Sequence, residues 1–316
     1  MPSEGNPPCL LCRSQETKLL RKGIRENPET PVWKCPRCLI QFISPPFTDI
    51  REYYHSTYRL THDSNLGEHM TPEERFLAMR PSMSEPADRF SKLVPKGTSV
   101  LDIGCSSGYF MDALQTKGYD VYGVEWNPED AKFVREVGGL PCEEGTLDEI
   151  YPGKTFGAIT LLQVLEHQPD PIEFIRQCKR KLIGGGYMYI EVPSSQEALL
   201  TIYSIPEYIN RFYRESHITY WQAETMASFV GAMGFEASIT TRQRYGLLDH
   251  INWCYRNEPT PKYRDATDYL NLVDAKHPCH AILSRTTGKV DREYRLQLET
   301  LKAGDTVVAT CQTRKI

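Results

Sequence analysis

Four of the ten cysteines stand in two pairs, Cys9 and Cys12 in "CLLC" and Cys35 and Cys38 in "CPRC". Each two-residue gap lets both sulfurs of a pair face one ion, and the 22 residues between the pairs bring the chain back as a ribbon. That is the spacing of a four-thiolate zinc site. A segment of under about fifty residues buries little core, so a metal would supply folding energy that packing cannot. A closed four-sulfur site leaves no position for substrate, so the expected role of the zinc is structural. Free thiols or a disulfide are the competing readings. The other six cysteines (Cys105, Cys142, Cys178, Cys254, Cys279 and Cys311) are scattered, as reduced thiols of the cytosol are. "KHPCH", with His277, Cys279 and His280, fits no common metal spacing.

A second chemical signal is "VLDIGCSSGYF", residues 100–110. An apolar strand runs into a turn bounded by Gly104 and Gly108, and a helix begins near Ser107. The glycines allow a tight turn and close approach to a ligand, and the helix offers its amino end. Glu125 follows Asp102 by 23 residues, at the tip of the next strand, where an acid can accept both hydroxyls of a ribose. A nucleoside-containing cofactor is expected. Position 106 is serine where a dinucleotide fingerprint of the form G-x-G-x-x-G would have glycine.

These residues need a scaffold, and the pattern from residue 98 onward supplies one. Strands are expected at "TSVLDI", "YDVYGVE", "FGAITLLQ" and "YMYIEVP", and helices at "GYFMDALQTKG", "NPEDAKFVREVGG" and "DPIEFIRQCKRKLIGGG". Asn127 reads as an N-cap with Pro128 in the first helical position. Strands alternating with helices of ten to fifteen residues argue for an α/β fold with a doubly wound, Rossmann-like parallel sheet. Ligands bind such sheets beyond the carboxyl ends of the strands. "FEASITT" and "DTVVATCQTR" read as two further strands.

The segment "LDIGCSSG" resembles the first motif of class I S-adenosylmethionine-dependent methyltransferases. The resemblance continues through "GVEWNP", "LLQVLEHQPDP", "LIGGGYMYIEVPS" and "SHITYWQAETMASFVGAMGF", over residues 85–241. It implies a seven-stranded sheet ending in an antiparallel pair, with S-adenosyl-L-methionine as cofactor. It also implies roles. Asp102 and the loop Gly104, Cys105, Gly108 and Tyr109 would hold the methionine end, and Glu125 the ribose. Trp126 would line the adenine or pack on the following helix. Thr146 and Leu147 sit where the family contacts the adenine, and Gln163 where it faces the transfer site.

Transfer from a sulfonium needs alignment in a dry site and, for a hydroxyl or acidic carbon acceptor, a base. The candidates are Glu166, His167 and His217, each of which could equally be a structural hydrogen-bonding group. Tyr213, Tyr220 and Trp221 form an aromatic group of the kind that walls a small-molecule pocket. "QVLEH" is similar to the E-x-x-E-H segment of ubiquinone-pathway and small-RNA O-methyltransferases, which bind a divalent metal there. Gln163 replaces the first glutamate, removing a hard, charged ligand and weakening magnesium binding, though Glu166, His167 and His217 could still form a divalent-metal site.

The organisation expected is a zinc-ribbon module at 1–46, a helical connector or lid at 47–84, a core at 85–241, a substrate-side insertion at 242–303 and a last strand at 304–316. The connector carries Tyr53, Tyr54 and Tyr58 in "DIREYYHSTYR", as a substrate wall or as a packing helix. Ribbon plus core resembles the amino-terminal two-thirds of deoxysugar C-methyltransferases, without their carboxyl-terminal domain. A net charge of -4 and the lack of a Lys/Arg cluster disfavour an RNA substrate gripped by the ribbon. A small-molecule acceptor, such as a sugar nucleotide or secondary metabolite, fits better than RNA or a non-catalytic cofactor binder. No signal peptide or apolar span is evident, so a cytoplasmic enzyme is expected.

Overall fold

The computed structural model describes residues 6–44, 70–259 and 279–314. Tyr53, Tyr54 and Tyr58 lie outside them. The chain forms two compact units. One comprises Met1–Pro45, Val192–Met226 and Ile239–Val308, and the other Pro46–Glu191, Ala227–Ser238 and Ala309–Ile316. Among the described residues, no helix is long and apolar enough to cross a membrane.

The main sheet is built from β4 (Ser99–Ile103), β5 (Asp120–Val124), β6 (Cys142–Glu143), β7 (Phe156–Leu162), β8 (Leu182–Pro193), β10 (Phe235–Arg242) and β11 (Thr306–Thr313). Their order is β10-β11-β8-β7-β4-β5-β6. Strands β6, β5, β4, β7 and β8 are parallel neighbours. β11 runs against β8, because Ser194 N donates to Asp305 O at one end while Gln312 Nε2 donates to Gly185 O at the other. This is the class I methyltransferase sheet. β4 and β7 are almost wholly buried apolar runs, as strands covered on both faces must be.

Local signals start the crossover helices. Before Pro128–Glu136, Asn127 Oδ1 accepts from the amides of Glu129 and Asp130 at 3.1 and 3.0 Å. Before Pro171–Arg180, Asp170 does the same for Ile172 and Glu173. Each cap satisfies amides that the helix cannot pair and places a proline where no amide is needed. One expectation needs correction: "KLIGGG" does not continue the helix. Leu182 already pairs with Phe156, and the glycines enter β8. A Cβ on Gly186 would lie 3.2 Å from Gly157 O of the neighbouring strand, so the run keeps two backbones close rather than stopping a helix.

The cysteine ribbon is a small antiparallel sheet, β1 (Lys18–Lys22), β2 (Pro31–Lys34) and β3 (Gln41–Ile43). It gains a fourth strand from far along the chain, β9 (Thr219–Tyr220), with Gln41 opposite Tyr220 and Phe42 opposite Thr219. Ile24, Val32 and Ile43 of the ribbon share one buried cluster with Tyr213 and Tyr220. The four sulfurs of Cys9, Cys12, Cys35 and Cys38 lie within 4.8 Å of one another, with Cys9–Cys38 and Cys12–Cys35 each at 3.5 Å. Tetrahedral bonds of about 2.3 Å place thiolate sulfurs at this kind of spacing, so the set fits structural zinc. Thr225 Oγ1 also donates to Cys38 O at 2.8 Å, tying the second knuckle to the segment after β9. Removing the zinc with a strong chelator, or changing Cys35 to Ser, should expose β1–β3 and β9 together to limited proteolysis. Elemental analysis showing no metal in a protein with an unchanged cleavage pattern would contradict the assignment.

Candidate active site

β4 ends in Asp102 and Ile103, and the chain then turns through Gly104 (φ +70°), Ser106 (φ +51°) and Gly108 (φ +80°) before the helix Tyr109–Thr116. A Cβ on Gly104 would meet Val164 Cγ2 at 2.7 Å, and one on Gly108 would meet Val134 at 3.0 Å. Both glycines therefore combine left-handed backbone with close approach. The Cys105 sulfur is buried 3.7 Å from Cys142 Sγ, its amide donates to Val124 O at 3.1 Å and its carbonyl accepts from Gly108 N at 2.9 Å. The hydrogen bond with that second thiol, and after it burial, push the ionisation of Cys105 well up. Tyr109 is half-buried at the first helical position.

Glu125 closes the loop from β5. Its Oε2 accepts from Ser106 N and its Oε1 from Asn127 N, each at 2.8 Å, and the residue is 7% exposed. One carboxylate thus joins the glycine loop to the cap of the next helix. Each carboxylate oxygen accepts two hydrogen bonds, so a diol is chemically compatible with this acid. Trp126 donates to Gly145 O at 2.8 Å, Thr146 pairs with Glu149 through its amide and hydroxyl, and Leu147 is buried. Loop, acid and Trp126–Leu147 segment therefore belong to one unit. At the end of β7, Gln163 adopts φ +58° and its buried Nε2 has no hydrogen-bond partner. An orphaned amide donor beside a glycine cradle and an acid fits an adenosyl cofactor, which carries several acceptor atoms. Glu166 and His167 follow in a buried turn, with Oε1 and Nε2 3.7 Å apart.

His217, Tyr213, Tyr220 and Trp221 belong to the other unit. Arg214 Nε donates to His217 Nε2 at 2.9 Å, and Arg214 Nη2 lies against the same nitrogen. A guanidinium only donates, so this geometry puts the proton of the neutral ring on Nδ1. The three aromatics are packed rather than lining open space. Tyr213 OH donates to Gln41 at 2.7 Å, Tyr220 OH is held by the backbone N–H and C=O of Arg214, and Trp221 Nε1 donates to Thr219. All three are at most 6% exposed. Burial lifts Tyr213 to about 12 and Tyr220 further. They build the core on which the His217 segment rests.

Sequence reasoning passed over three groups. Ser106 and Thr160 act through backbone and hydroxyl, which carry no distinctive spacing. The third is a buried network: Arg75 Nη1 meets Asp130 Oδ1 at 2.6 Å, Ser107 Oγ donates to the same oxygen, and Arg75 Nη2 donates to Met70 O. It ties the helix Pro72–Met79 to the glycine loop through a desolvated ion pair, whose loss on one side leaves an uncompensated charge. Its only sequence signal is a basic residue amid the apolar positions of an amphipathic helix.

Asp102 is 3% exposed and accepts from Thr160 Oγ1 at 2.6 Å. Burial raises its carboxyl from the ordinary 3.8 to about 7; the Thr160 hydrogen bond opposes the shift and the charge of Glu125 adds to it. A carboxyl that is harder to ionise when folded penalises folding once the unfolded chain ionises. Its contribution is therefore best below about pH 4, declines as the pH rises towards 7, and is flat above. Asp102→Asn keeps the Thr160 hydrogen bond and should remove that decline. Urea midpoints for variant and wild type should diverge in favour of asparagine between about pH 4 and 7; parallel curves would refute the burial assignment.

The methyltransferase-domain family matches residues 75–238, just over half of the 316 residues. The ubiquinone biosynthesis O-methyltransferase of Proteus mirabilis (strain HI4320) is 24% identical over 185 residues, 52% of this chain and 75% of that protein. Its counterpart in Pseudomonas aeruginosa (strain UCBPP-PA14) is 29% identical over 179 residues, 50% of this chain and 76% of that one. Among solved structures, a SAM-dependent methyltransferase from Thermotoga maritima shares the fold at 16% identity and a TM-score of 0.50, covering 81% of this chain and 98% of its own. Family match, sheet order and glycine loop agree: the chain belongs to the methyltransferase-domain family and is an S-adenosylmethionine-dependent methyltransferase.

Proposed function

We propose that the enzyme methylates a small-molecule acceptor at oxygen or carbon, holding its cofactor in the Gly104–Gly108 loop with Glu125 on the ribose. The observation that carries this reading is the Glu125 carboxylate clamped between Ser106 N and Asn127 N at the strand end next to the loop. A fixed acid there has its orientation paid for by the fold before any diol arrives. Bound S-adenosylmethionine supplies an electrophilic methyl on a sulfonium, and the remaining work falls to the chain. Asp102 sets the polarity beneath the loop, and Gln163 supplies a donor at the edge of the sheet. The names of the two bacterial relatives favour an oxygen acceptor.

His217 is the base of choice in this reading. Its Nε2 already accepts from Arg214, so taking a proton there requires Arg214 to withdraw, which couples proton removal to a guanidinium movement. Residues 242–303, which carry the helices Leu247–Arg256 and His280–Thr300, serve the acceptor side. Net acidity gives no support to a nucleic-acid acceptor.

Two substitutions test the assignment separately. Glu125→Ala should weaken S-adenosylhomocysteine binding by roughly 1–3 kcal/mol in calorimetry, the range for a lost hydrogen bond to a charged group. Unchanged affinity removes Glu125 from the ribose. His217→Ala should leave that affinity within a factor of about two while lowering the methylation rate by roughly 100-fold or more. A rate like that of wild type would show that another group takes the proton.

A further inference from the structure

The mechanism above makes no use of Glu197, yet its placement is unusual. It lies four residues beyond the carboxyl end of β8, the edge of an α/β sheet at which ligands bind. The residue is 1% exposed, and its Oε2 has no hydrogen-bond partner. Tyr208 from the helix Pro206–Phe212 hydrogen-bonds the carboxyl. Tyr208 also stands edge-on to Trp253, with ring centroids 4.9 Å apart, and packs with Leu199, Ile205 and Trp253 in one apolar cluster. All of these residues belong to one compact unit.

Among the described residues, no cation makes a direct ion pair with the acid. Arg244 is engaged with Asp305, its Nε on Oδ1 at 3.0 Å and its amide on Oδ2 at 2.7 Å. Asp305 also accepts from Tyr245 N and Thr306 Oγ1, which hold it ionised below its ordinary range against its own burial. Glu197 has no such support. Burial pushes it well above the usual carboxylate range, the Tyr208 hydrogen bond and Arg244 oppose that, and the Asp305 charge adds to it. Burial lowers His250 to about 4. Glu197 is therefore a buried carboxyl with one oxygen partnered by Tyr208 and one without a partner. An apolar side chain of similar size would suit the cluster better, and a group that weakens the fold without local compensation is characteristic of a binding site.

We propose that Glu197 is an acceptor-recognition residue, its free carboxyl oxygen taking a hydrogen bond from an uncharged hydroxyl group of the methyl acceptor, with Tyr208 orienting the carboxyl and Trp253 walling the site. This deepens, and rests on, the reading of the enzyme as a small-molecule methyltransferase. The ligand class follows from the chemistry. An unpartnered acceptor oxygen beside aromatic rings suits the hydroxyl of a ring compound, and burial, which disfavours the charged form of Glu197, makes it a poor partner for an ammonium.

The test uses the full zinc-loaded chain as wild type, Glu197→Gln and Glu197→Met. The amide keeps an acceptor oxygen and the thioether removes it. Binding of catechol and of methyl glucopyranoside, two uncharged hydroxyl probes, is compared by saturation-transfer NMR with binding of 2-phenylethylamine. At least one hydroxyl probe should bind wild type, hold within about threefold in Glu197→Gln and weaken at least tenfold in Glu197→Met, which is one hydrogen bond lost from a buried site. The melting midpoint of Glu197→Met should be no lower than that of wild type. A drop of more than about 5 °C, reversed in Glu197→Gln, would make the residue structural and overturn the proposal. So would equal probe binding to Glu197→Met, no hydroxyl probe binding to wild type, or a preference for the amine. S-adenosylhomocysteine is titrated alongside. If it fails to bind wild type, the cofactor assignment falls, while the probe comparison still decides Glu197.

Discussion

The glycine-loop region of this enzyme depends on a single carboxylate. Glu125 accepts from the amide of Ser106 in the glycine loop and from the amide of Asn127, which in turn caps the next helix. A turn with three consecutive or near-consecutive positive φ values is intrinsically loose, and each non-glycine in that region is held against its own preference. The acid fixes the turn by satisfying an amide that the turn itself cannot pair. Loop, second strand and helix cap then share one electrostatic anchor. Arg75 and Asp130 hold the loop from its other side through Ser107, so the loop is pinned by three charged groups, two acids and one guanidinium.

The zinc ribbon has a different logic. It is too short to bury a core of its own, and the structure meets that shortage twice: with four sulfurs gathered about one point, and with a strand contributed by residues 219–220. Because Tyr213 and Tyr220 are buried among the ribbon's own apolar residues, the ribbon and the His217 segment fold as one body. The four-sulfur centre therefore bears on the His217 segment through packing alone, with no coordination position open to a further ligand.

Three buried acids show how the same side-chain chemistry is set to different states. Asp305 is surrounded by donors and stays ionised. Asp102, with a single hydroxyl donor and a like charge nearby, is pushed up to about 7. Glu197, with a phenol on one side and no partner on its other oxygen, is pushed well above the usual carboxylate range. Desolvation acts on all three, and only Asp305 has enough donors around its charged form to outweigh it.

The glycine turn, the acid beside it, the helix caps and the cysteine cluster were legible in the sequence because they are local. Paired cysteines two residues apart, glycines bounding a turn, an acid at the next strand end and Asn or Asp before proline each act within a few residues, where backbone sterics and hydrogen-bond reach leave few alternatives. The boundary of β8 was misread for the same reason: three glycines look like a helix stop until the neighbouring strand that needs their small size is seen. What the sequence could not contain was partnership across distance. Gln41 and Tyr213 meet over 172 positions, β3 and β9 pair across a similar gap, and Arg75 finds Asp130 over 55. Whether a tyrosine walls a pocket or fills a core, and whether an acid is charged, depends on which groups arrive from elsewhere to exclude water. That is a property of the packed fold and not of any segment.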